Sequence, residues 1–86
     1  MRDPRQTKIR RAILTALAVI PQGFLLPQDT LFGDTARLVL PPPSLAEFER
    51  ELNAAQLARL VAGTAGEDAM KWKLTDAGRL WLDENP

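Results

Sequence analysis

Residues 70–82, MKWKLTDAGRLWL, join a two-residue alternation to a helical pattern through one capping residue, and this junction constrains the fold more than any other stretch. Met70, Trp72 and Leu74 alternate with Lys71 and Lys73. A strand here therefore carries one apolar face and one face with both ammonium groups. The Thr75 hydroxyl can accept from the backbone N–H of Ala77 or Gly78, which starts a helix with Ala77, Leu80 and Trp81 on one side.

Working back from that junction, residues 57–62 are apolar and partly β-branched and end at Gly63. They read as the partner strand of 70–74 across a polar turn at 63–68, a β-hairpin. Before it, Ser44 and Glu47 form a capping box in which a hydroxyl and a carboxylate each satisfy an orphan backbone donor. The helix it opens recurs in Leu45, Phe48, Leu52 and Ala55 on its buried face, with Ala46, Glu47, Glu49, Arg50 and Asn53 outward.

The N-terminal helix is announced by Asp3 as cap, Pro4 at the first position and Gln6 at the third, and is expected to run to about Val19. Ile9, Ala12, Ile13, Ala16, Leu17 and Ile20 gather on its core stripe, with Arg10, Arg11, Leu14 and Ala18 looking away. Pro21 and Gly23 end it. Residues 24–26 suffice for a short edge strand. Pro27 can then sit in the first turn of a second helix through Leu31, Thr35 and Leu38, before the stiff extended corner Pro41-Pro42-Pro43.

With 86 residues, one domain over 1–86 with one small core is expected. The chain has no Cys and no His, which removes disulfides, thiolate metal sites and the usual general base. No nucleotide-binding glycines and no carboxylate or lysine pair at catalytic spacing are evident, so no cofactor is implied and the chain does not read as an enzyme. The basic start, with Arg10-Arg11 and the apolar run 12–20, imitates a secretory or twin-arginine leader. No small-x-small box follows that run, and it is too short to span a bilayer, so a cytoplasmic protein without membrane contact is expected.

The formal charge is zero but unevenly placed. Residues 1–11 carry five cations (Arg2, Arg5, Lys8, Arg10, Arg11) against Asp3, and residues 71–79 carry Lys71, Lys73 and Arg79 against Asp76. Such patches suit phosphate contact, although each also reads as a solvated helix end or hairpin face.

The order of helix, short strand, helix, helix, hairpin and helix is α+β. In it, residues 48–57, FERELNAAQL, resemble the recognition-helix exit of winged-helix (winged helix-turn-helix) proteins, and residues 74–82, LTDAGRLWL, resemble their wing-to-last-helix ending. The chain as a whole is similar to small regulators of the MarR and PadR kind. It departs from their pattern at Gln56, where a helix-ending glycine is common, and at Glu67 and Asp68, where a groove-reading wing usually carries Arg or Lys.

The resemblance implies a small domain with a three-helix core, a short strand, a β-hairpin wing and a C-terminal helix. It implies a transcription regulator that binds double-stranded DNA, with the third helix in the major groove and the hairpin beside the backbone. Candidate contacts are Arg5, Arg10 and Arg11 from the arm, Lys71 and Lys73 from the hairpin, and Arg50 and Asn53 for guanine and adenine edges. Against this, Glu47, Glu49 and Glu51 oppose Arg50 on the third helix. A winged helix used for contact with a protein partner or a second copy is the alternative, with Leu14 and Trp81 as interface candidates.

Overall fold

A computed structural model describes residues 3–86. Its elements are α1 (Pro4–Ala18), β1 (Leu26–Pro27), α2 (Gln28–Ala36), α3 (Leu45–Leu57), β2 (Val61–Ala65), β3 (Met70–Leu74) and α4 (Asp76–Glu84). The three strands form an antiparallel sheet in the order β1-β3-β2. Together these elements make a winged helix in which α1, α2 and α3 enclose the core and the β2–β3 hairpin is the wing.

The Asp3 side chain caps α1 by accepting from Arg5 N at 2.9 Å. This helix packs against α2, α3, α4 and β3 at once. Leu14 is consequently buried in the core, and Arg10 is buried as well, where a single-stripe reading turned both outward. A helix packed on several sides keeps only a narrow solvent face, so a single apolar stripe does not mark all of its inward residues.

The edge strand sits later than its apolar letters suggest. Phe24 and Leu25 are exposed, whereas Leu26 and Pro27 pair with Trp72 and Lys71. Pro27 is also the N-cap of α2 rather than a residue of its first turn. That helix stops at Ala36, short of Leu38, and Phe32 leans its ring on Phe48 of α3 with centroids 5.0 Å apart.

The capping box forms at α3: Ser44 Oγ accepts from Glu47 N at 3.1 Å and Ser44 N donates to Glu47 Oε1 at 3.0 Å. Leu45 is exposed rather than buried, and Glu51 is buried, so the inward face is Phe48, Glu51, Leu52 and Ala55. At the other end, Leu60 N donates to Ala55 O and Arg59 N to Gln56 O, both at 2.9 Å. This paired closure places Arg59 in the left-handed region at φ 62. The helix-ending glycine position is thus occupied by Arg59 and not by Gln56. It also moves the strand: Leu57 ends the helix, and β2 begins at Val61 and continues through Gly63 to Ala65.

The hairpin register pairs Val61 with Leu74, Gly63 with Trp72 and Ala65 with Met70. Trp72 turns inward and Lys71 and Lys73 outward, as the alternation requires. The indole lies over Gly63 so closely that a Cβ there would stand 2.7 Å from the ring, and its N–H donates to Gln28 Oε1 at 3.0 Å. These contacts tie the wing to the start of α2.

Thr75 closes the hairpin–helix junction by accepting from Gly78 N at 3.0 Å and donating to Arg59 O at 2.7 Å. Gly78 lies against the Leu60 carbonyl, where a Cβ would collide with backbone. The inward side of α4 is therefore Gly78, Trp81 and Leu82, with Ala77 and Leu80 exposed, a rotation from the sequence reading forced by this close approach. Among the described residues no helix is long and apolar enough to cross a membrane.

Phe48 is fully buried with the Phe32 ring against it, so Phe48→Ala should cost about 3–5 kcal/mol on denaturant unfolding; a loss under about 1 kcal/mol would show that the site collapses around the gap. Arg59→Gly should raise stability by about 0.5–1 kcal/mol, because glycine relieves a left-handed conformation that a side chain resists. An unchanged urea midpoint would mean that contacts of the Arg59 side chain outweigh the relief.

Candidate nucleic-acid interface

The outward arc of α3 decides what the helix can touch. At about 100° per residue, Ala46, Glu49, Arg50, Asn53, Gln56 and Leu57 share one exposed arc centred near Asn53. Phe48, Leu52 and Ala55 occupy the opposite side, so helix periodicity and core burial together orient the arc. Gln56 belongs to this arc although the sequence reading treated it only as a misplaced helix end.

Two of the three glutamates are withdrawn from that arc. Arg5 Nε donates to Glu47 Oε2 at 2.8 Å and its Nη2 to Glu47 Oε1 at 3.2 Å. Arg10 Nε lies 3.5 Å from Glu51 Oε1, with both side chains nearly excluded from water. Arg5 and Arg10 of α1 thus face Glu47 and Glu51 of α3 as two ion pairs, one near the surface and one buried. On the exposed arc, Glu49 is left to oppose Arg50.

The hydrogen bonds from Arg5 and, next, from the Ser44 backbone hold the Glu47 carboxyl well below the usual carboxylate range, at about 2. The same bond to Glu47 raises the Arg5 guanidinium above its ordinary value.

The arm divides accordingly. Arg5 and Arg10 are engaged by α3, Arg11 Nε donates to Asn85 O at 3.0 Å, and Lys8 is exposed. Arg2 lies outside the described residues. Leu14 is in the core and offers no surface, while Trp81 is half-buried against the core.

On the hairpin, Lys71 and Lys73 are exposed on the side opposite Trp72. The Lys71 stem passes Gly66 at the turn, whereas Lys73 lines a cleft with Thr75, Asp76 and Arg79. Glu67 and Asp68 are exposed at the tip. Arg50 and Asn53 therefore share one helix arc, and the two lysines share the outer face of a separate element.

No protein-family model matches the chain, and no curated protein matches it. Among solved structures it is similar to the crystal structure of a transcriptional regulator of the MarR family from Silicibacter pomeroyi, with a TM-score of 0.63 at 22% sequence identity. The likeness covers 93% of this chain and 57% of that one, so it spans little more than half of the neighbour. At that identity the shared property is the winged-helix fold.

The Arg5–Glu47 pair has a defined acid signature. A carboxyl whose folded pKa is lowered from 4.5 to about 2 contributes stability that is present above 4.5 and lost as pH falls toward 2. Glu47→Gln should therefore unfold more easily than the parent at pH 7, and the difference should vanish near pH 2. A difference that stays constant in urea titrations across this window would show that the lost capping geometry, and not the charge, carries the effect.

Proposed function

We propose that this winged helix is a small transcriptional regulator that binds double-stranded DNA, with α3 in the major groove and the outer face of the hairpin against phosphates. The observation that carries this reading is the pairing of Glu47 and Glu51 with Arg5 and Arg10 of α1. The count of three glutamates against one arginine argues against a groove-binding helix, but carboxylates already matched by guanidinium groups repel phosphates far less. The exposed arc then offers Arg50, Asn53 and Gln56, which are guanine- and adenine-reading side chains, with Ala46 beside them for a thymine methyl. The fold shared with a protein described as a transcriptional regulator supports the same reading.

In this reading the work is divided. Lys71 and Lys73 bind phosphates and position the domain, while Arg50 and Asn53 discriminate bases. Arg5, Arg10 and Arg11 act within the fold, holding α1 to α3 and to the chain end. The acidic tip at Glu67 and Asp68 stays out of the groove.

Fluorescence anisotropy on random and sequence-selected duplexes tests this division. Replacing Lys71 and Lys73 together by Ala should weaken binding on every duplex and make the slope of log K against log salt shallower by about two units. Replacing Arg50 or Asn53 by Ala should instead cost about 1–3 kcal/mol on a selected duplex and little on a random one. Absence of binding at low salt, where a basic patch is strongest, would overturn the DNA reading in favour of a protein-contact module.

A further inference from the structure

Glu49 is the carboxylate of α3 that α1 leaves unmatched. Arg5 and Arg10 take Glu47 and Glu51, which lie on the flank of α3 turned toward α1. Arg50 borders that same flank, sharing a recess with Arg5 and Glu47. At about 100° per residue, Glu49 falls on the far flank of the exposed arc, with Asn53 between it and Arg50. Glu49 is exposed, and among the described residues it meets no cation at ion-pair distance.

A carboxylate on a groove-facing helix is repelled by the phosphates around it, so it weakens binding to every sequence unless a base donates to it. In the major groove cytosine supplies that donor, its N4 amino group, with no acceptor beside it on the same base. Adenine sets the acceptor N7 next to its amino group, and guanine and thymine present acceptors there without a donor.

Arg50 complements this preference. The partner of cytosine is guanine, whose O6 and N7 accept from a guanidinium. Consecutive helix residues rise about 1.5 Å, less than half of the roughly 3.4 Å between base pairs, so Glu49 and Arg50 stand at the level of one pair. They project from opposite flanks of the arc, and a C·G pair presents its donor and its acceptors from opposite strands.

We propose, on the reading that α3 enters the major groove, that Glu49 and Arg50 together read one C·G pair, Glu49 accepting from cytosine N4 and Arg50 donating to guanine O6 and N7. Glu49 is then a specificity-determining residue that acts by exclusion as well as by contact. A pair that turns acceptors toward it leaves the carboxylate among phosphates with no donor, which selects against that sequence. Asn53, three residues past Arg50, lies about 4.5 Å further along the helix axis, and this places an adenine one or two pairs beyond the C·G pair.

Selection from a pool of randomised DNA duplexes, followed by fluorescence anisotropy on the enriched sequence, tests the assignment. The unmodified chain should enrich a C·G pair at one position and lose about a hundredfold in affinity when that pair becomes T·A, about tenfold for each contact. Glu49→Ala should reduce this discrimination to about tenfold, the part carried by Arg50. The same variant should bind a random duplex about two- to fivefold more tightly, because one carboxylate has left the phosphates. The double variant Glu49→Ala with Arg50→Ala should not distinguish the two pairs. Discrimination that falls while binding to random DNA tightens does not come from damage to the fold, which weakens every complex alike. Binding without a C·G preference, discrimination that stays at about a hundredfold in Glu49→Ala, or equal weakening on all duplexes would each overturn the assignment while leaving DNA binding in place. Absence of binding by the unmodified chain at low salt would overturn both.

Discussion

Enclosure of α1 is the constraint on which the rest of the structure depends. A chain of 86 residues has little apolar surface to bury, and one helix packed on four elements makes efficient use of it. Ile9, Ile13, Leu14 and Leu17 form the centre of the core, and Leu31, Phe48, Leu52 and Trp72 reach it from α2, α3 and β3. The orientation of α3 and of the wing follows from how each closes over this helix.

The two ion pairs along the α1–α3 seam couple that packing to the surface proposed to face DNA. The buried Arg10–Glu51 pair is weak evidence for stability, because desolvation of both groups offsets much of their attraction. Its consequence lies in register. Rotating or sliding α3 against α1 would leave a charge buried without its partner, at a cost far above that of a surface pair. Arg5 and Glu47 add a second point of alignment at the capped end of α3. The arc bearing Arg50 and Asn53 is thereby aimed by residues that do not belong to it.

The same seam changes the meaning of charge along the chain. The basic start reads as a phosphate-binding arm and the third helix as too acidic for DNA, and each of these impressions is partly cancelled by the other. Arginines and glutamates that look like separate patches in sequence neutralise one another in space. What remains exposed includes a polar arc on α3 and a lysine face on the hairpin.

Local chemistry in the sequence was sufficient for the element order, the Asp3, Ser44 and Thr75 caps, and the hairpin with Trp72 inward and Lys71 and Lys73 outward. Capping and strand alternation act between residues a few positions apart, so the pattern contains the whole cause. Tertiary packing alone decided the rest. Leu14 and Arg10 turn inward because α1 is enclosed from several directions, and Leu80 turns outward because Gly78 presses on the Leu60 backbone. The end of α3 moves because Arg59 adopts a conformation expected of glycine. The candidate contact residues divide along the same line: Arg50, Asn53, Lys71 and Lys73 stay exposed, whereas Arg5 and Glu47 are 42 positions apart in sequence, and no local pattern pairs them. Only the fold brings that guanidinium and carboxylate into contact, and with it decides which charges are left to face a partner.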